Sequence, residues 1–305
     1  MTEFAPIVVF AYNRPDHLAR TLSKLAQADG ASASDLWIFC DGPKPNANIG
    51  KIEAVRAVAN DPKWRSKYKS VRVTSSEKNK GLAKSIIQGV SAAIDEFGTA
   101  IVVEDDLLVA PDFLTFMNEC LEFYREDESV GSVTGFCPLK APPEGYVFDV
   151  MAVPRNSSQG WATWADRWRQ VDWDAKDAVR VWNDPELRRK LNSAGSDRAF
   201  RLRRQLDGEI DSWSIRFGLW QIVNGKNTIY PVRNRIQNIG YDGSGVHSGT
   251  GQPKNADFGP EYANMMPQTV VPDPRVLRSF RATYSGSLLR RAVRWLRLRF
   301  LSRKT

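Results

Sequence analysis

The stretch "AIVVEDDLLVAPDFL" (100–114) places three consecutive carboxylates, Glu104, Asp105 and Asp106, directly behind residues that favour burial. Like charges this close repel, and taking any of them out of water is costly unless a cation or hydrogen-bond donors compensate. The run "TAIVVEDD" (99–106) has the length and β-branched composition of a buried strand. A strand ending in acid is either a solvated strand end or a place where something positive belongs.

The upstream residues decide between the two. "PIVVFAY" (6–12), "DLWIFCDG" (35–42) and "SVRVTS" (70–75) repeat the strand signal. Between the strands lie "DHLARTLSKLAQ" (16–27), with Leu18, Leu22 and Leu25 on one face behind Asp16, then "NIGKIEAVRAVAND" (48–61) and "GLAKSIIQGVSAAIDEF" (81–97). All three read as amphipathic helices. Such alternation implies βαβ crossovers and an α/β fold with a mostly parallel sheet flanked by helices. Ligands bind beyond the carboxyl ends of the strands in these sheets. Asn13 and Arg14, Asp41 and Gly42, Ser75 to Asn79, and Glu104 to Asp106 therefore converge on one edge. One polar loop is ordinary; four at one edge point to a binding crevice.

Adjacent carboxylates there suit a hard divalent cation, Mn2+ or Mg2+, which takes one or two protein carboxylates and leaves its other positions to phosphates and water. Pleating turns alternate side chains in opposite directions, so the three acids cannot bind alike. Asp106, furthest out, is expected to be the direct metal ligand, with Glu104 and Asp105 shaping the site.

After about residue 140 the alternation stops. "PLKAPPEGY" (138–146) is loop-like, and seven of the ten tryptophans fall between Trp161 and Trp220. Most of these are expected in the core, with one or two free to form a platform for a sugar ring. The glycine-rich "NIGYDGSGVHSGTGQPKN" (238–255) reads as a mobile loop able to order over a ligand. The expected organisation is an alternating α/β half with the binding crevice (1–140), a tryptophan-rich half with a mobile glycine-rich loop (141–285) and a basic amphipathic tail (286–305).

The tail aligns Leu289, Val293, Leu296 and Phe300 on one stripe beside Trp295 and surrounds them with arginines. Such a helix either binds an anionic membrane surface, through 288–304, or docks on the protein's own core. Of the net charge of +8, seven charges lie in 288–305, leaving +8 − 7 = +1 for the rest, which argues against a nucleic-acid partner. With 305 residues, 42% of them hydrophobic, the chain suffices for one large or two small folded units and does not read as disordered. Cys40, Cys120 and Cys137 are too few and too scattered for a disulfide framework or zinc site. With no signal-like start and no apolar run of spanning length, a cytoplasmic location is expected, peripheral on the inner membrane face if the tail binds lipid.

Taken in order, "AYNRP", "CDG", "NKGLA" and "VVEDDLLVAPDFL" resemble the nucleotide-sugar half of GT-A-fold glycosyltransferases. The likeness is to the animal N-acetylglucosaminyltransferase I group and to bacterial family-2-like transferases, in which a short acidic motif binds a metal–diphosphate pair. The resemblance implies a UDP-sugar donor, with Arg14 and Asp41 holding the nucleotide, the aspartate near the base, and Asp106 on the metal. "SQGWATWADRW" (158–168) is similar to a Gly-Trp segment in the acceptor half of that group. "EIDSWSIR" (209–216) resembles its motif for the general base. Aligned on Trp213, that role falls to Asp211, with Glu209 as a rival because Ile210 and Ser212 depart from the pattern. "GVHSG" (245–249) resembles a loop that puts His247 near the diphosphate or metal. His17, the other histidine, reads as solvated.

A carboxylate that deprotonates the acceptor hydroxyl while the diphosphate leaves from the opposite face inverts the anomeric centre. The implied acceptor is a glycan or lipid-linked glycan. Two alternatives stay open. A sugar-nucleotidyltransferase uses a similar sheet but places a glycine-rich loop after its first strand, where "AYNRPDHL" has no glycine. A non-catalytic membrane-surface protein leaves the four strand ends without a task.

Overall fold

The computed structural model describes residues 3–243, 258 and 265–286. The chain runs β1 (Ile7–Ala11), α1 (Pro15–Leu25), β2 (Asp35–Cys40), α2 (Ile49–Ala59), β3 (Ser70–Ser75), α3 (Leu82–Phe97) and β4 (Thr99–Glu104). It continues through β5 (Leu107–Val109), α4 (Phe113–Phe123), β6 (Val130–Thr134), β7 (Val150–Val153) and β8 (Trp161–Trp164). Five helices follow: α5 (Ala165–Trp168), α6 (Lys176–Asn183), α7 (Pro185–Leu191), α8 (Asp197–Leu206) and α9 (Trp213–Val223). The described elements end with β9 (Asn227–Pro231), β10 (Ile236–Asn238) and α10 (Pro274–Ser285).

One eight-stranded sheet has the order β3-β2-β1-β4-β8-β6-β9-β7. β3, β2, β1 and β4 are parallel, as the alternating pattern requires, and β8 runs against both β4 and β6. Its strands come from both sides of residue 140, so the two halves share the sheet. β1 shows the period-2 logic of a strand covered on both faces. Ile7, Val9 and Ala11 pack in the core with α1, and Val8 and Phe10 pack with α3.

The tryptophans settle largely as core. Trp161, Trp164, Trp168, Trp213 and Trp220 are buried, and Trp161 stacks on Trp168 and Trp213 with ring centroids 5.5 and 4.8 Å apart. "WATW" is a buried strand, and its indoles fill the space between sheet and helices. Among the described residues no helix is long and apolar enough to cross a membrane. The predicted tail helix over 288–304 and His247 lie outside the described residues.

Candidate active site

The four strand ends meet as expected. A cavity of about 470 Å3 opens between α3 and the carboxyl ends of β1 to β4, with Arg14, Asp41, Glu104, Asp105 and Asp106 all in its wall.

The acidic triplet does not continue the strand. β4 stops at Glu104, and Asp105 and Asp106 form a turn into β5. The Asp105 N–H donates to the Phe10 carbonyl at 3.1 Å, and Thr21 Oγ1 donates to the Asp105 carbonyl at 2.8 Å. The turn is thereby tied to β1 and α1. Arg14, at the entry to α1, answers the charge: Nη1 donates to Asp106 Oδ2 at 2.9 Å and Nη2 to Asp105 Oδ1. Asp106 was expected to be the outermost of the three, yet it is 5% exposed, because the chain after β10 folds back over it. The Ile239 N–H donates to the Asp106 carbonyl at 2.9 Å. At Gly240 a Cβ would overlap Asp106 Oδ2 and lie 3.1 Å from Arg14 Nη1, so only glycine lets the backbone approach this closely.

Even with Arg14 present the charge is not balanced. Burial, then Asp106 and Asp105, push the Glu104 carboxyl up to about 8. Burial also pushes Asp105 up to about 6, against the pull of Arg14. For Arg14 the two aspartates outweigh its own burial and raise its pKa. Asp106 Oδ1 is buried and has no hydrogen-bond partner among the described residues. An orphaned carboxylate oxygen costs free energy unless a donor or cation meets it. A hard oxygen-seeking cation fits that seat. Among the described residues no three His, Cys, Asp or Glu side chains form a ready-made cage. Mn2+ or Mg2+ would not need one, since phosphates and water complete their shells.

Asp41 is already engaged. Its Oδ1 accepts from the N–H groups of Gly42 (2.8 Å) and Lys80 (2.9 Å), and its Oδ2 from Asn79 Nδ2 (3.0 Å) and Gly81 N–H (3.1 Å). It fastens the loop that opens α3, and any contact with a base shares or displaces one of these donors.

Asp211 and Glu209 do not line the cavity. Asp211 is exposed, precedes the Ser212 cap of α9 and pairs with Arg216; Glu209 pairs with Arg204 at 2.9 Å. They are tied to the sheet through the start of α9. Trp213, two residues on, stacks against Trp161, which pairs in register with Val102 near the carboxyl end of β4. His17 is not solvated: its side chain is 12% exposed and Nε2 lies 3.2 Å from Asp242 Oδ2, in the segment that covers Asp106.

The floor of the cavity was missed in the sequence. Phe10, Phe39 and Trp37 form a stacked ladder with centroids 5.4 and 4.9 Å apart. One signal was available: Gly89 sits in the middle of α3, where glycine weakens a helix. A Cβ there would lie 2.7 Å from the Phe10 ring.

Residues 7–138 match the glycosyl transferase family 2 model. Among solved structures the chain is similar to the S. aureus protein TarS, with 13% identity, a TM-score of 0.40 and coverage of 76% of this chain and 36% of that one. It is also similar to a structure of galactosyltransferase LgtC in complex with donor and acceptor sugar analogs, with 12% identity, a TM-score of 0.39 and coverage of 73% and 72%. The chain thus spans little more than a third of the longer TarS structure. The family match is the more telling finding, because every residue that lines the cavity falls inside it. Over residues 7–138, which hold the whole lining of the cavity, the chain is thus similar to glycosyl transferase family 2.

Proposed function

We propose that the protein is an inverting, metal-dependent glycosyltransferase that moves a sugar from a nucleoside-diphosphate donor, UDP-linked by preference, to a hydroxyl of a glycan or lipid-linked glycan. The observation that carries this reading is the pairing of a nucleotide-sized cavity with a buried, unpartnered carboxylate oxygen, Asp106 Oδ1, at the end of β4. The base and ribose would occupy the space between Asp41 and the Phe10–Phe39–Trp37 floor, with the diphosphate at Arg14. Asp106 would hold a Mn2+ or Mg2+ ion, which supplies positive charge for the departing diphosphate.

The chain's own residues do the rest. Arg14 has donors to offer a phosphate when it shares or leaves the aspartates. Glu104 and Asp105 shape the metal side of the cavity. Asp211 takes the acceptor proton from the face opposite the leaving group, which inverts the sugar carbon without a covalent intermediate. The acceptor is held by residues 141–285, and the basic segment 288–304 keeps the enzyme at an anionic membrane surface on the cytoplasmic side.

Thermal unfolding with UDP, GDP, ADP and dTDP, each with and without Mn2+, tests the donor site. UDP with Mn2+ should raise Tm more than the sum of either alone. Equal shifts with and without metal would remove the metal from the mechanism, and no shift with any nucleotide would remove the donor site.

A further inference from the structure

The acceptor half buries more positive charge than it neutralises. Arg155, 6% exposed, gives both terminal nitrogens to Asp197 at 2.8 Å each and lies over the Tyr284 ring at 3.6 Å. Arg198, the next residue along α8, is 5% exposed and forms no ion pair among the described residues, since Asp197, which favours its charge, is committed to Arg155. Its one hydrogen bond goes from Nη2 to the neutral Asn156 Oδ1 at 2.7 Å. Burial and then Arg155 push its pKa down to about 9. Arg201, one turn on, is exposed and makes no hydrogen bond or ion pair among the described residues; neighbouring protein, and then Arg155, disfavour its charge. At the same corner Ser196 Oγ is buried without a partner among the described residues.

A buried guanidinium without an anion is costly, and native proteins seldom keep one unless a ligand completes it. The buried Arg198 guanidinium and Ser196 Oγ can both donate, and the exposed Arg201 adds a second cation at their side, so the partner they suit is an oxyanion. A phosphoryl group fits, because it offers several acceptor oxygens to a guanidinium fork. The position ties the cluster to the acceptor side. Asn156, which receives from Arg198, donates through Nδ2 to the Ser214 carbonyl at 2.8 Å, in the first turn of α9 and three residues from Asp211.

We propose that Arg198 and Arg201, braced by the Arg155–Asp197 pair, form an anion subsite that holds a phosphoryl group of the acceptor. Its assignment to the acceptor rests on the glycosyl-transfer reading above; its existence as an anion site does not. The phosphoryl group can come from a soluble phosphorylated glycan or from a lipid-linked one.

The test is isothermal titration of the full 305-residue chain with glycerol 3-phosphate, alongside co-sedimentation with phosphatidylcholine vesicles with and without phosphatidic acid. In either arm, binding should weaken at least about tenfold in Arg198→Gln and in Arg201→Gln, as loss of a charge-assisted contact implies. Arg125→Gln, at an exposed surface pair away from both sites, should leave it unchanged. Arg201 lies on an exposed face, so its variant decides the matter if Arg198→Gln unfolds. Dependence on Arg201 with the soluble phosphate alone assigns a soluble acceptor, and dependence with the vesicles assigns a lipid headgroup. Binding in neither arm, or binding indifferent to Arg201, overturns the subsite. If UDP fails to protect the fold but phosphate binding still needs Arg201, the donor reading falls and the anion site stands.

Discussion

Arg14 and Asp106 meet across the ends of β1 and β4, with Nη1 2.9 Å from Oδ2, and the same guanidinium reaches Asp105. One cation thus holds two buried carboxylates in the place where a metal ion is expected.

Removing that cation should expose the cost it offsets. Arg14→Gln leaves two buried aspartates facing each other, and breaking a buried pair costs roughly 3 kcal/mol or more. Urea unfolding should show that loss, and Mn2+ should restore part of it in the variant more than in the wild type. A variant as stable as the wild type would mean that the aspartates were never under electrostatic load.

Asp106→Asn keeps the shape of the side chain and removes the charge that a cation needs. UDP should then protect the fold equally with and without Mn2+. Gly240→Ala should have a similar effect by a different route, since its methyl group would displace the Asp106 carboxylate. If Gly240→Ala keeps full Mn2+-dependent protection, the segment after β10 does not position Asp106.

Asp211 is exposed but its partner Arg216 is only 15% exposed, so Asp211→Asn, which keeps an acceptor oxygen for that guanidinium, should cost no more than about 1 kcal/mol. Transfer should nonetheless fall about 100-fold or more while UDP binding stays intact, as for the loss of a general base. Full transfer in this variant would move the role to Glu209 or elsewhere.

Glu104 makes the metal-free protein sensitive to pH. Its carboxyl, ordinarily near 4.5, is raised to about 8 in the fold, so between these values the folded chain binds more protons than the unfolded one. The sign follows: this contribution to stability is fully present below about 4.5 and is lost as pH rises through about 8. Tm measured without metal should decline over that window, and Glu104→Gln should flatten the decline. An unchanged profile in the variant would place the titration on another group.

Much of residues 1–140 was legible along the chain. Period-2 runs such as "IVVFA" and the leucine stripe of α1 encode local structure within a few residues, and parallel α/β topology then sends the strand ends to one edge. That was enough to gather Arg14, Asp41 and the acidic triplet. Residues 141–285 were far less legible. "WATW" has no neighbouring alternation to mark it as a strand, and it becomes one by pairing with β4 and β6.

By itself, then, the sequence determined the alternating α/β frame, the edge on which the polar residues gather and an acidic strand end that demands positive charge. Only the tertiary structure decided what answers that charge. Arg14 and Asp106 lie 92 positions apart, and Gly240 arrives over them from beyond the last strands of the sheet. Arg198 looks like one more surface arginine in "DRAFRLRRQL" until packing takes it out of water. Burial and long-range pairing set the energies of charged groups, and neither is written in local periodicity.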